Sequence, residues 1–142
     1  MASKIEVCNV ALRRLARNRV TDIDNPTTNE EKVLADIFQI IADEVMAVAS
    51  WTSVMRQATL VATVDEPEFK YTTIYQLPTS PKCLHVVNIF CNEAGYPWEI
   101  KGDKLYTSKP DVQIDYRARI TSVENWDVGL TNAVIDRLTA EV

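Results

Sequence analysis

The sequence predicts an α+β fold: two N-terminal helices, an antiparallel β-sheet or sandwich of about five to six strands, and a C-terminal helix. Three observations carry this. Apolar residues recur at helical spacing up to about residue 50 and again from Leu130. Between them the period changes to two, the signature of half-buried strands. Turn-forming clusters such as "TDIDNPTT", "DEPE" and "NEAGYP" separate these segments. No internal repeat, low-complexity tract or linker is visible, so residues 1–142 read as a single domain with a β insertion at about 54–121.

Ser3 followed by Glu6 opens the first helix with a capping-box pattern, in which each side chain satisfies a free backbone N–H of the other residue. Ile5, Cys8, Leu12 and Leu15 then fall on one stripe. Arg13, Arg14, Arg17 and Arg19 crowd the end of this helix, where cations suit the helix dipole. A turn-rich loop with Pro26 follows. Thr28 and Glu31 form a second capping box and open a helix predicted to run to about Ser50. Its apolar face is broad: Leu34, Ile37, Phe38, Ile41, Val45 and Val48. Glu30, Lys32, Asp36, Asp43 and Glu44 lie largely off that face. Such a helix is roughly 33 Å long, so one end is expected to project or to pack on a neighbour.

The β region begins after Trp51. "RQATLVATVD" places Ala58, Leu60, Ala62 and Val64 on one face. Phe69, Tyr71, Thr73 and Tyr75 alternate with Lys70, Thr72 and Ile74 until Pro78, which has no N–H for a ladder and disfavours helix at Leu77. Cys83 to Cys91 reads as the next strand. Gly102-Asp103 suits a two-residue hairpin in which Ile100 faces Leu105 and Trp98 faces Thr107. "VQIDYRARI" is the cleanest strand, with Val112, Ile114, Tyr116, Ala118 and Ile120 on one side and Gln113, Asp115, Arg117 and Arg119 on the other; one face is buried and one wet. Leu130, Val134 and Leu138, with Ala133 and Ala140 beside them, form the closing helix. Its pattern stops at "RLTAEV" without a glycine cap or polar tail, so its end is expected to have been cut or to be completed by another subunit.

Composition excludes several classes. With 46% hydrophobic and 25% charged residues the chain is an ordinary globular one. Its net charge of −5 argues against a broad phosphate-binding surface. No apolar run approaches the roughly 20 residues that span a bilayer, and "MASKIEVCNV" has no signal-peptide apolar region. Cys8, Cys83 and Cys91 lack CxxC spacing and read as reduced thiols of an intracellular protein. Three glycines cannot build a phosphate cradle. His85, the one histidine, shares a strand face with Cys83, but nothing nearby in sequence lowers the thiol pKa. Three cysteines and one histidine have the wrong spacing for a zinc knuckle. Asp65, Glu66 and Glu68 in one turn, and Glu93 and Glu99 around another, are solvated turn acids unless two of them converge across a cleft. No catalytic, cofactor or metal residue is therefore expected. The arginines on the first helix are read as partners of a neighbouring helix's acids, with phosphate contact as the weaker reading. Trp51, Trp98 and Trp126 sit at element boundaries as core residues or interface anchors.

Taken in order, these segments resemble the tail tubular protein A family, the head-to-tail adaptors of short-tailed, podovirus-like phages. The resemblance covers nearly the whole chain: "N-x-A-L-x-x-L" from Asn9 to Leu15, "NPTTNEEKVL", "SW" before "R-x-A-T-L", the "Y-x-L-P" stop from Tyr75 to Pro78, "CL-x-V" from Cys83 to Val86, "WEIKGDKLYT", "IDYRARIT" and "AVIDRLTAEV". It implies a structural virion protein without cofactor or catalytic residues. Such a protein forms a dodecameric ring between portal and tail nozzle, with an axial channel through which DNA passes without sequence-specific binding. It would reside in the virion neck and, during assembly, in the host cytoplasm, with no membrane partner. Family members usually continue beyond the point where this chain ends, with helix that embraces the portal, so this chain is expected to be a short member or a connector that grips differently.

Two surfaces are expected to carry the contacts. One pairs Arg13, Arg14, Arg17 and Arg19 with Glu30, Glu31, Asp36 and Asp43 between adjacent subunits. The other is the hairpin, read as a protruding ribbon whose Trp98, Lys101, Lys104 and Tyr106 meet the next tail component. The alternatives differ in class. A phage cell-wall hydrolase needs two converging acids. A helical DNA-binding regulator needs basic and amide side chains on an outward helix, and the acidic second helix opposes that.

Overall fold

The computed structural model describes residues 3–141 apart from 16, 18, 20, 22 and 68. The chain divides into two compact units, Met1–Val54 with Ile120–Val142, and Met55–Arg119. Among the described residues the order is two helices, six strands in two three-stranded antiparallel sheets, and a closing helix. The α+β class and the element order are those the sequence predicts.

In the helical unit, α1 (Lys4–Arg14) opens on the expected capping box: the Glu6 N–H donates to Ser3 Oγ at 3.2 Å and the Ser3 N–H to Glu6 Oε2 at 3.3 Å. Its buried face is Val7, Cys8, Ala11 and Leu12, because it packs on the closing helix. Ile5, expected on that stripe, is exposed, and Leu15 lies half-buried at the helix end. The second helix, α2 (Asn29–Val48), ends two residues early because Ala49 turns extended, with φ −148°. The broad apolar face of its sequence splits in two. Leu34, Phe38, Ile41, Ala42, Val45 and Met46 are buried, whereas Val33 is 43%, Ile40 61% and Val48 73% exposed.

The closing helix, α3 (Val128–Glu141), buries Leu130, Val134, Ile135 and Leu138. Asp127 caps it, with Oδ2 accepting from the Leu130 N–H at 3.1 Å. Its other oxygen accepts from the N–H and hydroxyl of Ser53, which ties the start of α3 to the segment after α2. Trp126 stacks on Phe38, with ring centroids 6.2 Å apart and planes 7° from parallel, and its indole N–H donates to the Ile120 carbonyl at 2.8 Å. Trp51 donates to the Val45 carbonyl at 2.7 Å, and its ring lies against Gly129, where an added Cβ would come within 3.3 Å of it. Trp126 is thus a core residue and Trp51 a half-buried one.

The β unit holds β1 (Met55–Thr59), β2 (Thr73–Gln76), β3 (Cys83–Ile89), β4 (Trp98–Lys101), β5 (Lys104–Thr107) and β6 (Gln113–Ala118). The sheets run β1-β6-β3 and β2-β5-β4. In β6 the alternation is as read: Ile114, Tyr116 and Ala118 are buried, as is Val112 just before them. Elsewhere the period of two is shorter than expected. After Thr59 the chain changes partner from β6 to β2, with the Thr63 N–H donating to the Ile74 carbonyl at 2.8 Å, so Ala62 and Val64 are exposed. Lys70 takes φ +72°, a left-handed turn that leaves Phe69 81% exposed and delays the strand to Thr73. In β2 both Ile74 and Tyr75 are buried, the Tyr75 hydroxyl reaching the Lys109 and Pro110 carbonyls. Two register shifts break the alternation of β3.

Candidate interaction surfaces

The arginines do not form one patch. Arg13, Arg17 and Arg19 are exposed around a cleft of about 700 Å³ beside α1, whose walls include Ile5, Glu6, Asn9 and Val10. Arg14 instead donates to Asp136 of α3 at 2.6 Å, inside its own chain. The acids expected to answer them are also divided. Asp36 is exposed, while Glu30 and Asp43 are half-buried, Asp43 accepting from Gln39 at 2.8 Å. Glu31 is 2% exposed, and its Oε1 takes hydrogen bonds from the Thr28 N–H and from the hydroxyls of Thr27 and Thr28. It is a helix cap, favoured there by the positive end of the dipole, and not a surface acid. Glu44 pairs with Arg137 at 2.8 Å. Pairs this exposed contribute little to stability, about 0–1 kcal/mol each.

The hairpin has the expected register, Trp98 opposite Thr107 and Ile100 opposite Leu105, and Gly102 takes the left-handed φ of +62° that the turn requires. It is not the isolated ribbon that its sequence predicts. β5 pairs with β2 on its other edge and is the middle strand of its sheet. The turn is also tied down: the Leu77 N–H and Gln76 Nε2 both donate to the Asp103 carbonyl, and Lys104 Nζ donates to Gln76 Oε1. Lys104 is consequently half-buried, while Lys101 is exposed with its Nζ 4.9 Å from the Tyr106 ring centre. Tyr106 meets Tyr71 edge to face at 6.5 Å. Trp98 is half-buried beside a shallow cleft of about 270 Å³ that Leu84, His85 and Ile100 also line.

Burial pushes the Cys83 thiol up to about 11 and the Cys8 thiol up to about 12, so neither is a thiolate at neutral pH. His85 is exposed. Glu99 accepts from Lys70 Nζ at 2.9 Å, and that hydrogen bond holds its carboxyl below the usual range, the opposite of what a general acid needs. Asp65, Glu66 and Glu93 are exposed, and Glu68 lies outside the described residues. Among the described residues no three His, Cys, Asp or Glu side chains group as metal ligands, and no helix is long and apolar enough to cross a membrane.

Two features escaped the sequence reading. Of the exposed line on α2, Ile37 and Val48 belong to the apolar face expected from the sequence, while Val33 and Ile40 lie outside it; the signal was that "VLADIFQIIADEVMAV" is apolar round more of the helix than one packing face needs. The Asp127 cap had a local signal, an aspartate immediately before the helical pattern. No protein-family model matches this sequence, and no curated protein sequence does either.

Proposed function

We propose that this chain is a head-to-tail adaptor subunit of a short-tailed phage, a structural protein that forms a ring between portal and tail and leaves an axial channel for DNA. The observation that carries the reading is the order in which the resembling segments fall on the elements. "N-x-A-L-x-x-L" lies on α1 and the residue after it, "NPTTNEEKVL" opens α2, and "Y-x-L-P" ends β2. "WEIKGDKLYT" is the β4–β5 hairpin, "IDYRARIT" includes most of β6, and "AVIDRLTAE" lies on α3. A net charge of −5 suits a wall past which DNA slides without adhering. Electron microscopy of the purified protein, alone and mixed with its phage's portal protein, tests this. Closed rings seated on the portal are expected; particles that never associate with the portal overturn the reading.

The competing hydrolase reading has its own test. The protein is expected to leave purified peptidoglycan intact in a turbidity assay. Clearing that is abolished by Glu99→Gln or Glu93→Gln would replace the adaptor reading with an enzymatic one.

A further inference from the structure

Among the described residues, only one of the two apolar sides of α2 is buried. Val33, Ile37, Ile40 and Val48 follow one another along a single line of the helix. Ile37 is half-buried and the other three are exposed. Charge decides what can cover this line. Asp36 and Asp43 run along its edge, and Glu44 lies within it, paired to Arg137. Two copies of α2 meeting through this line would set those acids against their own counterparts, which like-charge repulsion opposes. The matching surface is apolar and cationic, and the same unit carries one. In the α1 cleft Ile5 and Val10 supply apolar wall, and Arg13, Arg17 and Arg19 supply charge. Glu6, the acid in that lining, is held in the Ser3 capping box.

We infer that the outer line of α2 docks into the α1 cleft of a second copy of this chain, Arg13, Arg17 and Arg19 meeting Asp36 and Asp43. The two surfaces differ, so the contact is heterologous and repeats from copy to copy, closing into a ring or running on as a filament. This names the subunit contact of the ring proposed above and rests on that reading for closure.

The test uses the full chain and two variants, each spoiling one surface. Ile40→Asp puts a charge in the α2 line, and Arg13→Glu with Arg17→Glu reverses the cleft. All three positions are exposed, so circular dichroism should match the parent, with only a small fall in melting temperature from acids placed at the C-terminal end of α1. In sedimentation velocity each variant alone is expected to lose assembly, its dissociation constant rising by about a hundredfold or more. Mixed in equal amounts they should form a dimer and nothing larger, because each brings one intact face. Milder changes, Ile40→Ser and Arg17→Ala, carry the same test if a charged variant unfolds. The inference is overturned if either variant assembles like the parent, or if the mixture stays monomeric while the parent assembles. Rings that persist on the portal in both variants sink this interface and leave the adaptor reading standing. A parent chain that stays monomeric with portal present sinks both.

Discussion

Asp127 accepts from the Ser53 hydroxyl, the Ser53 N–H and the Leu130 N–H, and the Ser53 hydroxyl is the largest reason its carboxyl titrates below its ordinary value of 3.8. A carboxyl lowered by folding contributes stability that is present above its unfolded pKa and is lost as pH falls through the folded one. The helical unit is therefore expected to weaken below about pH 4. Urea unfolding followed by tryptophan fluorescence at pH 7 and pH 3 measures this. Asp127→Asn should cost about 1 kcal/mol at pH 7 and flatten part of the acid dependence. Trp126→Ala removes a buried ring stacked on Phe38 and leaves the Ile120 carbonyl without that donor, so about 3–5 kcal/mol is expected from the same titration. Roles of this kind are legible in sequence only as far as they are local. The capping boxes at Ser3–Glu6 and Thr28–Glu31 are complete within four residues, and the sequence alone identifies both. That Glu31 is too buried to face another subunit, and that Ser53 reaches Asp127, depend on packing that no short window contains.

Elements were legible where the ladder is continuous along both edges. β6 is flanked by β1 and β3, and its alternation runs unbroken. β1 and β2 are shorter than their hydrophobic period predicts because the chain changes partner after Thr59 and turns left-handed at Lys70, events that period does not encode. The hairpin shows the same limit. Its register followed from Gly102-Asp103, yet β2 on its far edge was invisible, and with it the fact that β5 is central. This alters the expectation for Trp98. The ring is half-buried against its own unit, so Trp98→Ala should cost about 2 kcal/mol, roughly half the loss of a fully buried tryptophan. Thermal unfolding of the variant checks the figure. A cost under about 0.5 kcal/mol would return Trp98 to the role of an anchor for another protein. For α2 the amphipathic period was correct, but period alone does not say that a helix has two apolar sides with different occupants.

At the scale of the molecule, composition and element order were sufficient for the class; the unit Met55–Arg119 lies within the segment where the period changes to two, and no linker marks the crossings at 54/55 and 119/120. The crossings are close in space for a simple reason: Met55 pairs with Arg117 in the β1–β6 ladder, and such partners have Cα atoms about 5 Å apart. That pairing bears on the order of folding. α3 must join α1 and α2 across the whole of residues 55–119, and closing a flexible loop of that length costs about 4 kcal/mol in chain entropy. Once β1 and β6 have zipped, their ends already lie side by side and most of that cost has been met by the sheet's own contacts. The three-stranded sheet is then a clasp: its β1–β6 pairing holds together the two points at which the chain leaves and rejoins the helical unit.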